Sequence, residues 1–184
     1  EAHLYAPHLE QNISFPCMGL VVSGGHTLLI KSESHTDHKI IGSTIDDAVG
    51  EAFDKVAKFY NLGYPGGPII DKKARDGDSK AYSFPKATLK DKSNPYQFSY
   101  SGLKTAVIHQ LDKFLNPGYE KKLENILAGF QKSAIDTLVE LTEKACAEFQ
   151  IQDVVVTGGV SCNSYIREKF ASIKTIRSYF ASTN

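Results

Sequence analysis

The sequence predicts an α/β fold whose sheet presents two glycine turns to one ligand. Three observations carry this reading. Met18-Gly19-Leu20-Val21-Val22-Ser23-Gly24-Gly25-His26-Thr27-Leu28-Leu29-Ile30 reads as a buried β-hairpin, two apolar runs around a Ser-Gly-Gly tip. Far downstream, Asp153-Val154-Val155-Val156-Thr157-Gly158-Gly159 reads as a second strand running into a glycine pair. An amphipathic stretch over residues 120–150 leads directly into that strand, a helix-to-strand crossover of α/β type. A lone glycine pair reads more often as a plain hairpin turn and nothing more. Two strand-to-glycine turns in one short chain suggest a nucleotide held at both ends, because glycines permit positive φ and let backbone N–H groups approach a ligand without a Cβ in the way.

The 184 residues are enough for one domain, or one domain and a fragment. The 21 basic and 21 acidic residues balance, which argues against a broad basic surface that binds nucleic acid unaided but leaves a local basic patch open. Cys17, Cys146 and Cys162 are odd in number and lack metal-type spacing, so a disulfide framework is not expected and a reducing compartment fits. No run approaches the roughly 18 apolar residues of a membrane span, and no signal pattern opens the chain. Starting at Glu1 without methionine and stopping at Asn184 just after Tyr179-Phe180, the sequence reads as a piece of something longer.

Taken in order, residues 1–10 carry His3 and His8 on a segment broken by Pro7. Five residues apart, they lie about 140° apart on a helical wheel and would not share a metal from one face. The hairpin spans residues 17–31. A polar stretch over 32–39 leads to Ser43-Thr44-Ile45-Asp46-Asp47, where a hydroxyl three residues ahead of a carboxylate predicts a helix start. In that helix Val49, Ala52, Phe53, Val56 and Tyr60 form the apolar face, and Asn61-Leu62-Gly63-Tyr64-Pro65 ends it. Asp47, Glu51 and Asp54 fall at i, i+4 and i+7, an acidic stripe that reads either as a solvated face or as a site for ribose hydroxyls. On that stripe Asp54 is exposed, and its replacement by alanine is expected to change stability by less than about 0.5 kcal/mol.

Tyr64-Pro65-Gly66-Gly67-Pro68 is a rigid turn, followed by a short helix over 69–75 that carries Asp71 and is closed by Gly77. Residues 79–100 interleave Tyr82, Phe84, Tyr96, Phe98 and Tyr100 with lysine, proline and serine. They read as a loop or ribbon that contacts a partner or RNA, or whose aromatics anchor it to the core. A helix opening at Ser99-Tyr100-Ser101-Gly102-Leu103-Lys104-Thr105 turns Val107, Ile108 and Leu111 inward and stops at Asn116-Pro117-Gly118. Leu123, Leu127, Phe130, Ala134, Leu138, Leu141, Ala145 and Phe149 then recur at three- and four-residue steps along the long helix. A last helix runs from about 161–164 to about 170, and residues 173–180 read weakly as a strand.

Three stretches together resemble the tRNA N6-threonylcarbamoyladenosine transferases, formerly called O-sialoglycoprotein endopeptidases. They are Val22-Ser23-Gly24-Gly25-His26-Thr27; the run from Ser43 through Asp46-Asp47 and Gly50-Glu51-Ala52-Phe53-Asp54-Lys55 to Tyr64-Pro65-Gly66-Gly67-Pro68; and Gly158-Gly159-Val160 with Asn163. Phe98-Ser99-Tyr100-Ser101-Gly102-Leu103-Lys104-Thr105 is similar to a further motif of the family's bacterial and organellar type. The resemblance covers nearly the whole chain.

It implies the fold of actin, Hsp70 and sugar kinases, in which two ribonuclease-H-like halves clasp a nucleotide. Residues 1–15 would be the tail of the first half, and residues 16–184 the second half with a helical insertion at about 43–120. Substrate would be held by Val21, Val22, Ser23, Gly24 and Gly25 as phosphate loop, by Asp54, Gly67 and Asp71 around ribose and acyl group, and by Asn163 near adenosine. No protein residue is implied as nucleophile. His3 matches the second histidine of the family's metal pair, implying Fe(II) or Zn(II), one per full-length subunit. The first histidine and the aspartate of the Thr-Asp-Asn metal motif would lie outside this sequence, as would the first half's phosphate hairpin, so this piece alone is not expected to be active.

The implied activity is transfer of the threonylcarbamoyl group from threonylcarbamoyl-AMP to N6 of adenosine 37 in tRNAs that read codons beginning with A. Implied partners are tRNA and, in bacteria, a smaller paralogous subunit and an ATPase, or a homodimer if the protein is organellar. The implied setting is cytoplasmic, or mitochondrial if organellar. Rival readings are an ATP-dependent phosphotransferase of the same superfamily, a metalloprotease, and a non-enzymatic scaffold. Ser23 and His26 lack an acidic orienter and a nucleophile elbow, so a serine hydrolase is not expected.

Overall fold

The computed structural model describes residues 11–89 and 94–181. Five strands form one sheet: β1 Cys17–Val22, β2 Thr27–Ser32, β3 His38–Ser43, β4 Asp153–Thr157 and β5 Arg177–Phe180, in the order β3-β2-β1-β4-β5. The first three strands are antiparallel neighbours, while β4 lies parallel to β1 and β5 parallel to β4. Helices α1 Val49–Phe59, α2 Gly66–Ala74, α3 Ser101–His109, α4 Leu123–Phe149 and α5 Ser164–Ser172 complete the chain, with short 3₁₀ turns at Leu111–Lys113 and Gly159–Cys162.

Strand periodicity decides what the sheet faces. Met18, Leu20, Val22, Leu29, Val154 and Val156 point into the main core, packed with Phe53 of α1, Ile70 of α2, Leu103 of α3, Phe130 and Leu138 of α4 and Phe170 of α5. The alternate residues Val21 and Ile30 pack together on the opposite face with Leu28, and Cys17 and Val155 do so with Ile13, Phe15 and Tyr179. Burial on both faces explains why β1 and β4 read as unbroken apolar runs. Of the expected N-terminal tail, residues 1–10, with His3 and His8, lie outside the described residues.

Two helix ends follow from backbone chemistry. After α1, Asn61 takes the left-handed region at φ 56, and the amides of Asn61 and Leu62 donate back to the carbonyls of Lys58 and Ala57. After α4, Gln150 does the same, with Gln150 and Ile151 donating to Ala147 and Cys146. Both are Schellman ends, satisfying carbonyls that the helix leaves without partners.

Three expectations are corrected. The segment before α1 is not polar loop running into a helix start: His38–Ser43 is an edge strand, and its Ile40 is 59% exposed, so no inward alternation marked it. Nor does Ser43 to Asp46 begin α1, because the polar side chains there have other partners. Thr44 Oγ1 donates to the Asp47 carbonyl (2.7 Å), and the Asp46 carboxylate accepts from Tyr100 N (2.8 Å) and Ser99 Oγ (2.6 Å), capping α3 instead. Asp47 therefore precedes α1 and is not part of a helical stripe. Burial opposes its ionisation, but hydrogen bonds from Lys104 and Lys55 (2.8 and 2.6 Å) outweigh this and hold its carboxyl below the usual range. Finally, Tyr82, Phe84, Tyr96, Phe98 and Tyr100 are all buried, so the aromatics of residues 79–100 anchor that segment to the core and offer nothing to RNA.

Asp153 ties the last strand to the sheet. Buried at the start of β4, it accepts from Arg177 Nε (2.6 Å), Arg177 Nη2 (2.9 Å) and Tyr179 Oη (3.0 Å) of β5. Arg177 holds its carboxyl below the usual range. A carboxyl so lowered stabilises the fold above its unfolded pKa of about 3.9, and that contribution is lost as pH falls through the folded value. Asp153→Asn is expected to cost roughly 1.5–3 kcal/mol near neutrality and to flatten the acid limb below about pH 4. Urea unfolding of both proteins across that range checks it, and parallel acid limbs would contradict it.

Candidate functional site

Because β1 and β4 run parallel, with Val21 opposite Thr157, their C-terminal ends emerge at the same edge of the sheet. Each ends in a glycine turn. Gly158 has φ +95, and a Cβ there would lie 2.3 Å from the Val22 carbonyl oxygen, so only glycine lets the two strand ends meet this closely. On the hairpin side, Ser23 N donates to His26 O (2.8 Å), while Ser23 Oγ accepts from His26 N (3.0 Å) and Gly25 N (3.3 Å). Neither Gly24 nor Gly25 takes a positive φ, contrary to one expected use of these glycines. What they supply is room: a Cβ on either would meet nothing within 4 Å. The first turn of α1 closes on this tip, with Gly50 N donating to Ser23 O (3.1 Å). A Cβ on Gly50 would come within 2.7 Å of that same oxygen.

Between the two turns and the helices lies a cleft of about 490 Å³. Gly24, Asp54, Gly67, Asp71 and Asn163, all predicted site residues, line it together. Val21 and Val22 do not: their side chains are buried on opposite faces of the sheet, and they contribute the strand that places the tip. Ser23 and Gly25 belong to the tip without lining the cleft, and His3 lies outside the described residues. The remaining lining includes Phe53, Tyr64, Pro65, Pro68, Arg75, Gly159, Val160 and Cys162. Of these, Arg75 escaped the sequence reading, although its place four residues after Asp71 allowed an i,i+4 pair to be drawn.

Three polar lining residues, Asp54, Asp71 and Asn163, each hold a helix start. Asp54 Oδ1 accepts from Gly66 N (2.7 Å), the first amide of α2. Asp71, only 7% exposed, accepts at Oδ1 from Ser164 Oγ (2.7 Å) and at Oδ2 from Ser164 N (3.1 Å) and Arg75 Nη2 (3.2 Å). Asn163 caps α5, its Oδ1 accepting from Tyr165 N (2.9 Å) and Ile166 N (3.2 Å), while its Nδ2 donates to buried Gln131 Oε1 (2.8 Å). Gln131, in the middle of α4, carried no sequence signal for this role.

Sheet order, paired glycine turns at one edge and a cleft roofed by helices define a ribonuclease-H-like half of the actin, Hsp70 and sugar-kinase class. The solved structure of full-length HypF in its phosphate- and nucleotide-bound form has this fold too, with a TM-score of 0.72 at 14% identity over 97% of this chain and 38% of that one. The family model for tRNA N6-adenosine threonylcarbamoyltransferase matches residues 1–183, and the chain belongs to that family. It is 50% identical over 180 residues to the tRNA N6-adenosine threonylcarbamoyltransferase of Treponema denticola, covering 98% of this chain and 53% of that protein. The corresponding protein of Brachyspira hyodysenteriae is 49% identical over 178 residues, covering 97% and 52%. The chain thus spans about half the length of the curated relatives it matches.

These hydrogen bonds change what substitutions should do. Asp54→Ala removes an acceptor at a helix start and is expected to cost about 1 kcal/mol, more than an exposed face position would. Asn163→Ala removes a cap and strands the buried Gln131 amide, for roughly 2–3 kcal/mol. Urea unfolding checks both, and losses under about 0.5 kcal/mol would contradict these roles.

Proposed function

We propose that in the full-length protein this chain supplies the nucleotide-holding half of a tRNA N6-adenosine threonylcarbamoyltransferase. The observation that carries the proposal is the single cleft onto which both glycine turns open, lined by Gly24, Asp54, Gly67, Asp71 and Asn163. Threonylcarbamoyl-AMP is the substrate it suits. The open amide of Gly24 at the hairpin tip offers a donor to the phosphate, as glycine-rich turns do for anions. Asp54, which lines the cleft, has one carboxylate oxygen bound to Gly66 N, and its other oxygen is the acceptor for substrate hydroxyls in this proposal. Asp71 and Asn163 shape the far wall through their hold on α5.

In the reaction, N6 of adenosine 37 forms the new bond to the carbamoyl carbon, the bond from that carbon to the phosphate oxygen breaks, and N6 releases a proton as AMP leaves. A phosphate leaving group needs no protein nucleophile, and the chain's own part is to bind and orient the adenylate. Iron(II) or zinc(II), one per full-length subunit, belongs to this proposal through His3. The described residues do not themselves fit such an ion, since among them no three His, Cys, Asp or Glu side chains come together, and no step is routed through it.

The balanced charge supports a division of labour in which tRNA affinity comes mainly from assembly with a smaller paralogous subunit and an ATPase, or from a homodimer if the protein is organellar. Among the described residues no helix is long and apolar enough to cross a membrane, which is compatible with a cytoplasmic or mitochondrial setting.

Full-length protein with its partner subunits, given threonylcarbamoyl-AMP and unmodified tRNA, is expected to yield the modified nucleoside, detected after digestion of the tRNA. Absence of that nucleoside together with ATP-dependent phosphorylation of acceptor sugars would assign a phosphotransferase instead.

A further inference from the structure

We propose that Arg75 determines recognition of the base, its guanidinium lying flat against the purine of a bound adenylate. The inference rests on the reading of the cleft as an adenylate site and deepens it. Helix α2 turns Pro68, Asp71 and Arg75 toward the cleft, positions spaced to share one helical face. Asp71 accepts from Ser164 N and Oγ, so the wall made by α2 joins the start of α5 there, immediately after the Gly159–Cys162 turn. Arg75, one turn further on and just past the last residue of α2, flanks the cleft with Val160 and Cys162 among the other lining.

The guanidinium is both held and open. Its Nη2 donates to Asp71 Oδ2 (3.2 Å), yet the side chain is 64% exposed, which leaves the planar face and the other N–H groups accessible. Among the described residues it is the only cation lining the cleft. The hairpin tip abuts the first turn of α1 through Gly50, and Arg75 lines the same cleft beside Asp71, which holds Ser164 at the start of α5. With the phosphate of a mononucleotide at the tip, we set its base against Arg75 in the same cleft, where a delocalised planar cation is suited to stack on it.

The test uses full-length protein with AMP and ribose 5-phosphate as probes, the first titrated calorimetrically and the second by competition. Arg75→Ala is expected to weaken AMP about tenfold while leaving ribose 5-phosphate binding and the melting temperature unchanged. Arg75→Lys, which keeps the charge and loses the plane, is expected to weaken AMP as well. Equal weakening of both ligands would make Arg75 a phosphate contact and overturn the inference. AMP affinity unchanged in Arg75→Ala would overturn this inference alone, whereas wild-type protein that fails to bind AMP would overturn the adenylate reading beneath it.

Discussion

The parallel pairing of β1 with β4, closed by Gly158 lying against the Val22 carbonyl, is the constraint on which the rest of the molecule depends. Parallel neighbours bring their C-terminal ends to one edge, and any residue with a Cβ at position 158 would push those ends apart. With the ends together, one turn brings the Gly24 backbone to the cleft and the other leads into α5. Helix α4 is the crossover that makes this pairing possible, and its 27 residues span the core from Leu123 to Phe149. Its role is packing, but through Gln131 it also fixes the cap of α5.

A second layer of organisation comes from helix N-termini. Asp54, Asp71 and Asn163 line the cleft, and each also accepts hydrogen bonds from the start of a helix. Helix starts expose amides without intrahelical partners, so carboxylates and amides placed there are favourable and well oriented. The consequence is a cleft whose polar groups are set before any ligand arrives, which is the arrangement binding sites need if orientation is not to be lost to side-chain motion. The same coupling means that substitution at these positions disturbs fold and cleft together. Asp46 extends the pattern outside the cleft by capping α3, and Asp47 holds Lys55 and Lys104, so the Asp46-Asp47 pair organises the helices inserted between β3 and α4.

Much of this was legible in the sequence where burial imposes a period. The hairpin, α4 and β4 were visible because both faces of the inner strands and one face of the long helix are buried. Edge strand β3 was not, since its Ile40 faces solvent and His38, Lys39 and Ser43 of the same strand are polar, which leaves Ile41 as its one apolar residue packed against the core. The hydroxyl-and-carboxylate signal near Ser43 was a true capping signal assigned to the wrong helix, because Asp46 reaches across 54 residues to Tyr100 N. Local spacing cannot reveal such a partner. Likewise the glycine pairs pointed to the cleft, but Gln131 and Arg75 gained their places only from how α4 and α2 pack.

The central claim is that the two glycine turns act on one ligand. Amide hydrogen exchange of the full-length protein, with and without AMP, tests it most directly. Slower exchange on AMP binding is expected in residues 22–26 and in residues 158–164 together. Slowing confined to one turn, or absent from both while AMP is bound, would contradict it.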